Sequence, residues 1–200
     1  ISLATKNAIV YFILTLAGLS ILGYLLFWNS SKEIIESSEQ QVLHAAEVVE
    51  IKFLSFLHDA KRDISYLAQS PFLKDFLRDF DESKKELLAS EYLALLENKP
   101  DYAQIRLIGV ENYGKELIRA ERLNGTTFLV KENELQKKGN RNYFVETINL
   151  PKDSVYFSAI DLNKEYGNIS YPVTPTFRVA SPIFYNENPF GIVIINVNLS

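Results

Sequence analysis

Five side chains in the second half of the chain have types suited to recognition chemistry: Arg141, Tyr143, Tyr156, Ser158 and Asp161. A guanidinium fork can clamp a carboxylate, an aspartate can hold an ammonium, and phenol rings can wall the space between them. Tyr156 and Ser158 are two apart, so on a strand they share a face. The set suits a small-molecule ligand, an amino acid or a small carboxylate. A structural alternative stands beside it. Arg106, Glu116, Arg119 and Arg178 fall on strand-like segments and can form ion pairs that pin a sheet to its loops. Asp161, Asn163 and Glu165 can belong to a turn whose side chains cap backbone groups.

Other chemistry finds no residues to carry it. The chain has no Cys, which excludes disulfides, zinc–thiolate sites and thiol catalysis. His44 and His58 stand on one helical stretch, separated by ~21 Å of rise, so one chain cannot chelate a metal with both. Asp161-Leu162-Asn163 opens like a calcium loop, but Tyr166 occupies the glycine position and Pro172 the terminal glutamate position. Gly109 to Gly114 lacks the Gly-Lys-Ser/Thr ending of a phosphate loop. Neither His falls in the globular part, so a Ser-His-Asp hydrolase is not expected. No catalytic residue, metal or cofactor is expected, and the chain itself is not expected to be an enzyme. With 21 basic and 25 acidic side chains there is no basic field, so no nucleic acid is expected as a partner.

The elements that must position the five residues begin with an anchor. Ala8 to Trp28 holds no charge and is long enough as a helix to span ~30 Å of hydrocarbon. It ends in Phe27-Trp28-Asn29, not in the small residues of a cleavage site, which favours a retained span over a signal peptide. Lys6 before it weakly orients the N-terminus to the cytoplasm and residues 29–200 to the exterior, and a Cys-free exterior fits a bacterial periplasm. Ser30 to Ser70 has neither Gly nor Pro, and Ile35, Val42, Ala46, Val49, Phe53, Phe56, Ala60 and Leu67 follow the spacing of a helical seam. The upper half of this stalk is expected to pack on its own domain and the lower half on a partner helix, as a homodimer. Ser70-Pro71 ends it.

Beyond the stalk, two short helices are expected over 72–80 and 83–98, the second capped by Ser83 with Glu86 three residues on. Strands are expected over 103–108 and 116–123, a helix over 131–147 broken near Gly139-Asn140, and strands over 155–160, 177–184 and 191–198, with a loop at 185–190. Five strands joined mostly by hairpins imply an α+β, PAS-like domain: one five-stranded antiparallel sheet flanked by helices. The organisation is a transmembrane anchor (1–28), a long periplasmic stalk helix (29–70) and a PAS-like lobe (71–200).

Several ordered motifs make a resemblance specific: Gln104-Ile105-Arg106; Gly114, Glu116 and Arg119; Leu135-Gln136, Lys138, Arg141 and Tyr143-Phe144; Val155-Tyr156, Ser158, Asp161-Leu162-Asn163, Glu165 and Gly167; Pro172, Pro175 and Arg178; Gly191-Ile192 and Asn196. Residues 30–200 resemble the membrane-distal lobe of double Cache sensor domains, the extracytoplasmic sensors of bacterial histidine kinases and related receptors. The resemblance implies a ligand pocket between the sheet and the helix–loop layer on its far face, with Arg141 and Tyr143 from that layer and Tyr156, Ser158 and Asp161 from the third strand. It also implies that a second lobe, a second membrane helix and an output module follow Ser200. The expected function is the sensory input region of a receptor in the bacterial inner membrane, a two-component histidine kinase. The alternatives are a diguanylate cyclase, a chemoreceptor or, in another class, a pilin-like structural protein. A cysteine introduced at Val42 or Val49 is expected to crosslink between chains in membranes. Uniform failure along the seam contradicts a dimeric stalk.

Overall fold

The computed structural model describes residues 2–162, 164–165, 168–169, 171 and 173–199. Asn163, Tyr166, Gly167 and Pro172 of the motifs above lie outside the described residues, as do the side chains of Ile35 and Glu165. The chain divides into two compact units, residues 1–55 and 56–200.

The first unit is helical. It holds most of α1 (Leu3–Gln69), whose N-terminal part is the one stretch among the described residues long and apolar enough to cross a membrane. Polar atoms there turn inward to the backbone: Thr15 Oγ1 donates to the Tyr11 carbonyl and Ser20 Oγ to the Leu16 carbonyl. Further along, Val42, Leu43, Val49, Phe53 and Leu54 are exposed.

The second unit begins with the end of α1, where Ala60, Ile64 and Leu67 are fully buried along one helical face. Two helices follow, α2 (Pro71–Asp79) and α3 (Glu82–Asn98). Proline at the first position of α2 cannot continue α1 but suits a helix start. Ser70 caps α2 by accepting from Phe72 N, and its hydroxyl donates to Glu91 of α3 at 2.6 Å. The cap of α3 is Asp81 and not Ser83: the Asp81 carboxylate accepts from Ser83 N, and a carboxylate nearer the helix start wins the capping position.

The chain then runs through β1 (Tyr102–Gly109), a single turn α4 (Glu111–Gly114), β2 (Glu116–Leu123), β3 (Thr126–Leu129), a 3-10 turn at Glu132–Glu134 and α5 (Asn142–Ile148). The short pieces β4 (Tyr156–Phe157), β5 (Asp161–Leu162), β6 (Lys164–Glu165) and β7 (Asn168–Ile169) precede the long hairpin of β8 (Pro175–Tyr185) and β9 (Asn188–Asn198). One antiparallel sheet takes the order β3-β2-β1-β9-β8-β4, with β5 also on β8. Five of its strands, β1, β2, β4, β8 and β9, are those expected from the sequence, and β3 and β5 extend it. The α+β expectation holds.

Local boundaries differ from the sequence reading in three places. The helix expected over 131–147 forms only at Asn142–Ile148, because the backbone of residues 136–139 is drawn into bonds with the β1–β2 turn. The strand expected over 155–160 is paired only at Tyr156–Phe157. The loop expected at 185–190 shrinks to Asn186-Glu187, both at positive φ (49° and 65°), the geometry of a tight two-residue hairpin turn.

Each sheet face has its own core. Ile105, Leu107, Val179, Val193, Ile195 and Val197 point to α1–α3, whereas Ile108, Ala180, Ile192 and Ile194 point to Tyr143 and Phe144 of α5. The segment leading into α5 is clasped at two glycines. Gly114 sits at φ +71°, and a Cβ there would lie 2.4 Å from Gly139 N; a Cβ on Gly139 would lie 2.5 Å from the Tyr113 carbonyl oxygen. Gly139→Ala is expected to destabilise the protein by about 1–3 kcal/mol through forced overpacking. Gly125→Ala, with open space around it, should cost only about 1 kcal/mol of left-handed strain. Equal shifts in thermal unfolding would contradict the clasp.

Candidate ligand-binding site

Beside its apolar patch, the sheet face under α5 carries a block of polar and charged side chains, set on one side by alternation along each strand. On β1, Gln104 and Arg106 turn to this face; on β9, Asn196; on β8, Arg178; on β2, Arg119 and Glu121. Glu116, with no exposed surface, gathers the charges. Its carboxylate lies 3.4 Å from Arg106 Nε and 3.3 Å from Arg119 Nη1, and accepts from Gln136 N at 2.9 Å. Arg119 Nε also meets Glu121 at 3.3 Å. Gln104 joins the row by donating to Glu121 at 3.0 Å and accepting from Asn196 Nδ2 at 2.9 Å.

This network does two jobs. It neutralises guanidinium groups that would be prohibitive to bury alone. It also fastens the 135–141 segment to the sheet, together with bonds from Glu116 N to the Gln136 carbonyl, Lys138 N to the Gly114 carbonyl and Gly139 N to the Tyr113 carbonyl. That segment delivers Arg141, the residue preceding α5, and Tyr143 within it.

Tyr143 stands among three arginines. Arg106 Nη1 lies 3.4 Å from its hydroxyl, and the Arg178 and Arg141 guanidiniums lie 5.5 and 5.9 Å from its ring centre. Burial pushes the Tyr143 phenol up, against the pull of the three cations. Beside it opens a cavity of about 440 Å³, lined by residues 140–143, Glu146, residues 156–159, Asp161 and Arg178. All five residues selected from the sequence line this one cavity.

Their engagements differ. Among the described residues Arg141 has no ion-pair partner. Burial, followed by the nearby Glu146 carboxylate, pushes the Tyr156 phenol up to about 12. The Ser158 hydroxyl is spent on backbone: it accepts from Arg178 N at 2.9 Å and donates to the Ala159 carbonyl at 2.7 Å. Asp161 is ion-paired with the buried Arg178. The structural alternative is therefore observed for Arg106, Glu116, Arg119 and Arg178, which pair as strand residues, yet Arg178 also lines the cavity. Sequence reasoning missed Glu146, although it follows Tyr143 by three residues and on a helix shares its face.

Comparisons with known proteins agree with this architecture. A family model described as the sensor domain of bacterial histidine kinases matches residues 32–200. No curated protein matches the chain. Among solved structures, a domain assigned to the sensory box/GGDEF family of Vibrio parahaemolyticus superposes with TM-score 0.74 at 22% identity, over 80% of this chain and 60% of its own. The extracellular domain assigned to the histidine kinase vpHK1S-Z8 gives 0.75 at 22% identity, over 82% and 58%. A methyl-accepting chemotaxis protein X gives 0.54 at 12% identity, over 80% and 64%. At these identities the likeness is one of fold. The chain spans about 60% of the first two structures.

Glu116→Gln is expected to destabilise the protein by about 3–5 kcal/mol, because it leaves two buried guanidiniums without their shared anion. Breaking the exposed Asp75–Arg78 pair by Asp75→Asn should cost less than about 1 kcal/mol. Urea unfolding midpoints check the contrast, and similar shifts for both would contradict it.

Proposed function

We propose, for a chain that belongs to the bacterial histidine kinase sensor-domain family, that its lobe is an extracytoplasmic receptor for a small ligand bearing a carboxylate, an amino acid or a small organic acid. The observation that carries this reading is the cavity between α5 and the β8 edge, with the free Arg141 guanidinium on its lining and the rings of Tyr143, Tyr156 and Phe157 around it. Its size suits such a ligand, since small-molecule sites run from ~300 to 1,000 Å³. In this reading Arg141, Tyr143, Tyr156, Ser158 and Asp161 form the ligand-binding set. Arg141 clamps the carboxylate, the rings wall the pocket and Ser158 holds the strand edge.

The anchor is residues 1–28, the stalk 29–70 and the lobe 71–200, in the bacterial inner membrane with residues 29–200 in the periplasm. Supporting this, Leu3–Gln69 is one helix whose first part is apolar enough to span a bilayer. The exposed Val42, Val49 and Phe53 are available to a second copy in a homodimer. Ligand alters the packing of the two stalk helices to the extent that it binds one arrangement more tightly than the other. The output is histidine kinase activity carried outside this chain.

Thermal-shift screening of the chain in detergent with the twenty L-amino acids and short carboxylates is expected to find at least one stabiliser, and Arg141→Ala is expected to abolish its shift. No stabiliser among them, or an undiminished shift in Arg141→Ala, would overturn this site.

A further inference from the structure

The apolar row of β1 that faces α1–α3 stops one position short. Ile105 and Leu107 are fully buried on that face, and Gly109 continues it without a side chain. A Cβ on Gly109 would meet only the Leu117 side chain, at 3.4 Å, an ordinary contact, so the backbone there does not demand glycine. The missing side chain instead leaves the floor of a second cavity, of about 550 Å³, on the sheet face opposite α5. Its size falls within the range of small-molecule sites, and its walls are mostly aromatic.

Phe80 is the centre of those walls. Its ring meets Phe76 edge-on at 5.7 Å, Tyr185 edge-on at 5.6 Å and Phe190 at 5.8 Å, yet Phe80 is 52% exposed. It also ends α2 at φ 49°, a left-handed position that disfavours a bulky side chain and that glycine usually fills. The facing wall is braced: Val110 N donates to the Phe190 carbonyl at 2.9 Å, tying the β1–β2 turn to the β8–β9 hairpin. Rings at such separations prefer edge-to-face and offset neighbours, so four of them around an open space suit a fifth.

Charge narrows the ligand. A register shift between Leu107 and Ile108 turns Leu117 to this face, and Lys115, two residues before it, reaches the same cavity. Lys115 is half-buried and has no ion-pair partner among the described residues. Glu111, the other charge on the lining, is exposed, where water and salt weaken its hold on a cation. The remaining polar side chains are the neutral amides of Asn112, Asn186 and Asn188.

We propose that this cavity is a second binding site, for a planar aromatic carboxylate. The ring enters between Phe80 and Phe190 above Gly109, and the carboxylate pairs with Lys115. The site shares no lining residue with the cavity beside α5, so it adds a recognition function that the first does not carry.

The test is isothermal titration of the full chain in lipid nanodiscs, wild type and Arg141→Ala. The probes are phenylacetate and 2-naphthoate, each beside its primary amide, and phenethylamine. At least one carboxylate is expected to bind both proteins, about 10- to 100-fold more tightly than its amide, the range of a hydrogen bond to a charged group. Lys115→Gln is expected to erase that preference while leaving the affinity for the amide in place. Gly109→Val fills the floor and is expected to abolish binding of carboxylate and amide alike. Binding that vanishes in Arg141→Ala overturns the assignment, because it locates the probe beside α5. So does a carboxylate that binds Gly109→Val as it binds the wild type, or an amide that binds as well as its carboxylate. Phenethylamine bound more tightly than either would put the ligand charge on Glu111 and overturns it too. A wild type that binds neither carboxylate overturns the site itself. If Gly109→Val fails to fold, Phe80→Gly takes its place, removing the ring and relieving the left-handed backbone together. It is expected to weaken carboxylate and amide by the same factor, about tenfold. Unchanged affinity there overturns the proposal.

Discussion

Everything on the polar side of the sheet depends on one buried carboxylate. Glu116 has no solvent of its own and answers to two guanidiniums and a backbone N–H. Without it, Arg106 and Arg119 would face each other directly across β1 and β2 without the anion they share, since they are register partners. With it, two cationic strand residues become the floor on which the 135–141 segment lies. Buried ionic clusters of this kind are poor sources of net stability compared with apolar packing. Their value here is positional: the same carboxylate that neutralises the arginines fixes the backbone that carries Arg141 and Tyr143.

The two faces of the sheet divide the labour. The face against α1–α3 carries the larger apolar core and ties the lobe together, with Arg122 of β2, Lys99, and Asp63 of α1 as charged members at its border. Asp63 accepts from the Tyr102 hydroxyl at 2.8 Å and pairs with Lys99 at 2.8 Å, joining the end of α1 to the first strand. The face under α5 carries polar side chains in cross-strand rows, and at its β8 edge those rows give way to the cavity. A sensor needs this asymmetry: one face rigid enough to hold a geometry, the other chemically able to read a ligand. The match to the sensor domain of bacterial histidine kinases accords with that division.

Much of this was legible in the residues. Long-period signals were clear: the uncharged run Ala8–Trp28, the seam ending at Ser70-Pro71, and the alternating strands of β1, β2, β8 and β9. What escaped was set by contacts between segments distant in sequence. The 131–147 stretch has helical composition, yet Glu116 and the Gly114–Gly139 clasp hold its first half in an irregular path, and nothing local announces that. β3 was missed although Asn124-Gly125, a strong two-residue hairpin signal, precedes it. In the site, residue type and strand parity brought out five side chains that do line one cavity. They could not reveal that Asp161 is already paired with Arg178, because that pairing depends on β5 lying beside β8. Nor could they single out Glu146, which joins the cavity lining from α5 one turn after Tyr143.

We propose that a small carboxylate-bearing ligand sits on Arg141 above an intact charge network. A crystal structure of the chain grown with saturating amino acid tests it most directly. The account predicts ligand density in the cavity, with the carboxylate on Arg141 and Asp161 still on Arg178. An empty cavity, or a ligand carboxylate lying on Arg178 with Asp161 displaced, would contradict it.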